Sequence, residues 1–86
     1  MSWIKGDCLW VRRGREKQGV IIIVRRKLGN AVVRNRLKRR LRHVCRLNEN
    51  NLPMSLVIFC QPHAARVQFS DLERDFTALL SKLGRA

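Results

Sequence analysis

Apolar positions divide the chain into three short runs and two spaced stripes. "CLWVRR", Cys8 to Arg13, alternates so that Trp10 and Arg12 share one side while Leu9, Val11 and Arg13 share the other, as expected of a strand. "GREKQG" follows, with Gly14 and Gly19 marking a turn. Val20 to Val24 are five consecutive β-branched residues. Such a run predicts a strand with two apolar faces, expected at the centre of a sheet. Val33, Leu37, Leu41 and Val44 then recur at spacings of 4, 4 and 3, which predicts a helix over 31–47 with Asn30 as its N-cap. Asn48 to Pro53 reads as a loop and Met54 to Cys60 as a further strand, parallel to the preceding one because a helix intervenes. Residues 61–69 show no regular pattern. Ser70 and Glu73 form an S-x-x-E capping box ahead of a stripe of Leu72, Phe76, Leu79, Leu80 and Leu83, with Gly84 placed to end the helix. The order β-β-α-β-α predicts a single α+β domain, a small sheet with two helices.

The strands carry more apolar surface than one helix layer needs. The crossover helix must cover one sheet face, the last helix covers part of either, and the remainder is expected to stay open as a groove. Trp10 beside Arg12 suits single-stranded nucleic acid, whose bases stack on aromatic rings. Trp10 fits an ordinary core position equally well.

Charge changes the picture more than composition does. Nineteen Lys and Arg against six Asp and Glu leave a net charge of +13. A charge of that size opposes compaction unless a polyanion relieves it. Most of the excess is Arg, whose planar fork pairs with phosphate and stacks on bases. Nucleic acid is the first partner implied and an anionic membrane surface the second. No segment reaches the ~20 apolar residues of a membrane span, and no secretory signal pattern is present, so a cytoplasmic protein is expected. Cys8, Cys45 and Cys60 are odd in number and widely spaced, which argues against zinc and for small apolar residues in a reducing compartment.

Seven Lys and Arg, and no Asp or Glu, lie between residues 31 and 47. On a wheel centred on Leu37, Arg34 and Lys38 flank the apolar stripe on one side and Arg36 and Arg40 on the other, while Arg39, Arg42 and Arg46 cover the back. Each like-charged i, i+4 pair costs about 0.2–0.5 kcal/mol, so the helix needs its stripe packed on the sheet. A surface helix that was merely solvated would mix signs. No helix-turn-helix partner precedes it, and its apolar stripe is too narrow to serve both core and membrane. Phosphate binding is the reading left.

"KLGNAVVRNRLKRRLR", Lys27 to Arg42, resembles the signature of the protein subunit of bacterial ribonuclease P, an R-N-R core followed by K/R-R-x-x-R. Here these are Arg34-Asn35-Arg36, then Lys38-Arg39 and Arg42, preceded by Gly29-Asn30-Ala31-Val32. "LVIFCQP", Leu56 to Pro62, is similar to the family's next strand, and "FSDLERDFTALLSKLG", Phe69 to Gly84, to its final helix. The resemblance covers roughly residues 7–84. It implies the ribonuclease P protein-like fold (ribosomal protein S5 domain 2-like), with a left-handed crossover around the basic helix. It implies a non-catalytic protein subunit of an endoribonuclease whose RNA subunit removes the 5′ leader of precursor tRNA using Mg2+, with no dedicated metal site on the protein. Its partners would be the ribonuclease P RNA and precursor tRNA. Carried over by position, Arg34, Asn35 and Arg36 face that RNA, supported by Lys38, Arg39 and Arg42, with Arg40, Arg46 and Lys27 nearby. Asn35 lies on the wet side of the wheel, where a short amide can donate and accept at phosphate, ribose or a hydrated metal.

The chain departs from the family at its start, where members usually carry a helix that walls the leader groove. The expectation is therefore residues 1–86 as one basic RNA-binding domain lacking that helix, with Trp10 and Arg12 as the leader-groove residues. Sheet surface left bare there is a candidate for self-association. Two other classes compete. A structural RNA-binding module would share the basic helix. A self-sufficient nuclease could offer His43 and His63 as acid and base, but Asp7, Asp71, Glu73 and Asp75 are read as scattered or on the outer side of the last helix, too dispersed to hold a catalytic metal.

Overall fold

The computed structural model describes residues 3–15 and 19–85. Its elements are β1 (Ile4–Lys5), β2 (Leu9–Arg13), β3 (Gly19–Ile23), α1 (Ala31–Leu47), β4 (Ser55–Cys60) and α2 (Phe69–Arg85). Short 3-10 turns occupy Arg26–Leu28, Glu49–Asn51 and Pro62–Arg66. The middle of the expected turn between Gly14 and Gly19 lies outside the described residues.

One four-stranded sheet runs β1-β2-β4-β3. β3 and β4 are parallel, as a crossover helix requires, and β2 is antiparallel to β4. The central strand is thus β4, with five of its six residues buried, rather than the more uniformly β-branched β3. β3 lies at the edge, half-buried, with Ile21 37% exposed. An apolar run with two greasy faces is compatible with either position, because chain order and crossover, not side-chain type, decide which strand ends up inside. β1 is a two-residue strand with no periodicity to announce it; it pairs Ile4 with Val11 and Lys5 with Trp10.

The register assigns the faces. Leu9, Val11, Leu56, Ile58 and Cys60 point towards the helices and are buried to 0% exposure. Both helices pack on this one side, α1 through Leu37, Leu41, Val44 and Cys45, and α2 through Leu72, Phe76, Leu79, Leu80 and Leu83. Fully burying Leu37, Leu41 and Val44 contributes about 1.5–3 kcal/mol each, which outweighs the few like-charge pairs on α1 at about 0.2–0.5 kcal/mol each. α1 begins as its sequence predicts: Asn30 Oδ1 accepts the Val33 amide at 3.0 Å. Its far end is tied by Asn48 Nδ2 donating to the Val44 carbonyl at 2.9 Å.

α2 differs from expectation at both ends. The amides of Asp71 and Leu72 both donate to the Gln68 carbonyl, so Ser70 falls inside the first turn instead of capping it. The helix also runs through Gly84 to Arg85. Arg13 Nη2 donates to the Leu83 carbonyl at 3.3 Å, binding β2 to the last turn.

Asp75 corrects the sequence reading most sharply. It is 8% exposed and faces inward. Its carboxylate accepts the amides of Asp7 at 2.9 Å, Cys8 at 3.0 Å and Leu9 at 3.0 Å, and the Cys8 thiol at 3.4 Å. This clasp holds the turn that joins β1 to β2. Gly6 makes it feasible, since a Cβ there would lie 2.5 Å from the Asp75 carboxylate.

Candidate nucleic-acid interface

Two surfaces of different construction carry the candidate residues. The first is the outer side of α1. With Leu37, Leu41, Val44 and Cys45 turned inward, the cations emerge on the rest of the helix. Asn35, Arg36, Arg39, Arg42 and Arg46 are exposed, and Arg34, Lys38 and Arg40 are half-buried. Lys27 is exposed on the turn that leads into the helix. A recess of about 500 Å³ lies between Val32, Asn35, Lys38, Arg39 and Arg42, so four of the six R-N-R and following motif positions gather around or beside one hollow. Arg34 and Arg36 stand on either flank of Asn35 in sequence, the first against the protein body and the second in solvent. Among the described residues the ion pair found is Arg74 with Asp71 at 3.9 Å, on α2, so none of the α1 cations is neutralised by a carboxylate there. Arg40 is different from its neighbours. Its Nη1 donates to the Val67 carbonyl at 3.2 Å, tying α1 to the segment before α2.

The second surface is the sheet face that neither helix covers. Register puts Lys5, Trp10 and Phe59 in one row across β1, β2 and β4, with Ile23 beyond them on β3; Arg12, Val57 and Ile21 form the next row. Trp10 is half-buried here and takes no place in the core. The Phe59 ring lies 6.3 Å from Trp10 and 5.6 Å from Trp3 between centroids. Each ring carries a cation: Lys5 Nζ 4.7 Å over Trp10, the Arg12 guanidinium 5.0 Å over Trp3, and the Arg25 guanidinium 4.7 Å over Phe59. The expectation of Trp10 beside Arg12 on an open sheet face holds, but their partners are Lys5 and Trp3. Sequence reading missed Trp3, Lys5, Arg25 and Phe59. Phe59 alone left a signal, by alternating with the inward Ile58 and Cys60 on a strand known to be paired.

The remaining candidates are not brought together. His43 packs against Phe69 at 5.4 Å, and His63 Nε2 meets the Asp7 backbone carbonyl. Among the described hydrogen bonds neither histidine has a carboxylate partner. Among the described residues no group of three or more His, Cys, Asp and Glu is placed to hold a metal ion. The three cysteines are free and buried, and burial pushes the Cys8 and Cys60 thiols up to about 12 and Cys45 to about 11. Asp75 adds to the effect at Cys8. Among the described residues no helix is long and apolar enough to cross a membrane.

The family model described as Ribonuclease P matches residues 8–84. The chain belongs to the ribonuclease P family. The ribonuclease P protein component of a Nocardioides species is 44% identical over 64 residues, covering 72% of this chain and 55% of the relative. That of Thermus thermophilus is 36% identical over 98 residues, covering 94% of this chain and 59% of the relative. The chain therefore spans somewhat over half the length of these ribonuclease P relatives. The fold is shared with solved structures: the Thermotoga maritima RNase P protein, with a TM-score of 0.76 at 24% identity over 94% of this chain and 82% of that one, and the Staphylococcus aureus RNase P protein, with a TM-score of 0.74 at 18% identity over 93% and 78%.

Proposed function

We propose that this chain acts as the protein component of ribonuclease P, docking on the catalytic RNA through α1 and assisting removal of the 5′ leader from precursor tRNA. The observation that carries the proposal is the electrostatic isolation of α1. Seven cations and no acid occupy one helix whose buried residues, Leu37, Leu41, Val44 and Cys45, are taken up by the core, with Val33 half-buried. A polyanion supplies the missing counter-charge, and releases its own condensed counterions in doing so. Arg34, Asn35, Arg36, Lys38, Arg39, Arg42 and Arg46, with Lys27, form the docking side in this reading; Arg40 acts mainly to hold α1 in place. The uncovered sheet face receives the leader, as extended RNA whose bases stack on Trp3, Trp10 and Phe59 while Lys5, Arg12 and Arg25 move from rings to phosphates. Mg2+ belongs to the RNA subunit in this scheme. The protein contributes positioning and charge neutralisation, which lower the concentration of the ion needed to fold and use a polyanionic active site.

Reconstitution tests the proposal. Added to a bacterial ribonuclease P RNA at physiological salt, the chain is expected to lower the Mg2+ needed for cleavage of precursor tRNA. An unchanged Mg2+ requirement, with RNA binding intact, would instead make it a structural RNA-binding module.

A further inference from the structure

Lys38 and Arg42 form a ridge with a hollow on each side. On the outer side is the recess shared with Asn35 and Arg39. On the inner side, between α1 and the edge strand β3, is a smaller groove of about 200 Å³ lined by Val20, Ile22, Lys38, Arg42 and Cys45. We propose that this inner groove is a pocket for one unpaired nucleotide of the RNA on which α1 docks.

The inference rests on the docking function proposed for α1 and adds a site to it. Three features select the ligand. The floor is apolar, made by Val20 and Ile22 of β3 and Cys45 of α1. The rim is cationic, with Lys38 and Arg42 one helical turn apart and no acid in the lining. A flat apolar ring attached to a phosphate satisfies both, and an acidic peptide or a lipid chain satisfies only one. The volume is below the ~300–1,000 Å³ of sites that enclose drug-sized ligands, which suits a single base. The strand edge supplies specificity. β3 is paired on one side by β4 and is the last strand of the described sheet, so its outer edge offers backbone N–H and C=O groups that no described strand pairs, on the same strand whose Val20 and Ile22 line the groove. Such groups can read the edge of a base that is already out of its stack, as bulged and looped RNA bases are. The Cys45 thiol, held neutral by burial, adds no negative charge near the phosphate.

The test uses the whole chain with three RNA hairpins of one sequence: fully paired, with a single-nucleotide bulge, and with an abasic bulge. Affinity is measured for each, and the methyl resonances of Val20 and Ile22 are followed. The bulged hairpin is expected to bind about tenfold tighter than the abasic one and to shift both methyls. Ile22→Phe, which fills the groove and leaves every charge in place, should abolish that preference while the paired hairpin binds as before. Cys45→Leu does the same from the helix side should Ile22→Phe disturb folding. Equal affinities for bulged and abasic hairpins, with the methyls unmoved, overturn the pocket and leave α1 docking standing. Loss of binding to all three hairpins overturns docking and pocket together. A free mononucleotide that shifts the methyls as strongly as the hairpin, at equal concentration, overturns the assignment to an RNA-borne nucleotide.

Discussion

In the proposed function the two candidate surfaces are given the same task, holding a polyanion, and they are built in opposite ways. On α1 the cations come from one continuous stretch, and among the described residues none meets a carboxylate; Arg40 alone is committed to a backbone carbonyl. On the sheet face the cations come from β1, β2 and the segment after β3, and each rests over an aromatic ring. The α1 charges are thus ready to meet phosphate without rearrangement, whereas those of the sheet must exchange a ring for a phosphate. Steep salt dependence should belong to the first surface and base stacking to the second.

Asp75 offers the largest break between them. Asp75→Asn keeps one acceptor where the carboxylate had several, and each buried amide left without a partner costs about 1–3 kcal/mol. A loss of about 3 kcal/mol in urea unfolding is expected on that basis. The protein that remains folded should lose leader-dependent affinity, because the clasp sets β1 and its Lys5 against β2, and should keep its affinity for the ribonuclease P RNA. Equal loss of both activities would show that the surfaces are not independent.

Next in size is Trp10→Ala. Removing a ring on which a base stacks costs about 1–3 kcal/mol, so affinity for precursor tRNA should fall roughly five- to 150-fold while that for mature tRNA is unchanged in the holoenzyme. A smaller contrast lies within α1. Arg36→Ala should weaken RNA binding several-fold and reduce the slope of log K against log salt by about one, with the melting curve unmoved. Arg40→Ala should do the reverse, costing about 1 kcal/mol of stability with a near-normal salt slope.

The smallest differential effect is expected from pH. The three thiols have folded pKa values of about 11 to 12 against an ordinary value of 9.0. Their contribution is complete below pH 9 and is lost as pH rises through the folded values, because the unfolded chain releases these protons first. Denaturant titrations should show stability falling as pH rises from about 9 to about 11. Both surfaces stand on the same core and should weaken together.

Much of this was legible in the sequence where a signal is local. The helix at 31–47, its Asn30 cap, the inward stripe of α2 and the parallel relation of β3 and β4 follow from spacing and order alone. The outward placement of most α1 cations was legible for the same reason. What escaped depends on contacts distant in sequence. β1 is two residues long, and the turn that joins it to β2 is held by a clasp from α2. Asp75 was placed outside although it stands three residues after Leu72 and four before Leu79, within the stripe itself; an acid there is buried only if something distant supplies donors, as residues 7–9 do. Trp3, Phe59 and Arg25 become one surface only once the strand order is known. The centrality assigned to β3 failed because apolarity on both faces does not specify rank in a sheet.

The sheet face uncovered by either helix holds both tryptophans of the chain, and there is no tyrosine. Excited at the red edge of protein absorbance, the folded domain therefore emits from that face alone, with α1 and the core dark. The molecule is its own single-site optical probe. Contact made by α1 should leave the spectrum still, while a base sliding onto Trp3 or Trp10 should change it without any label having been attached.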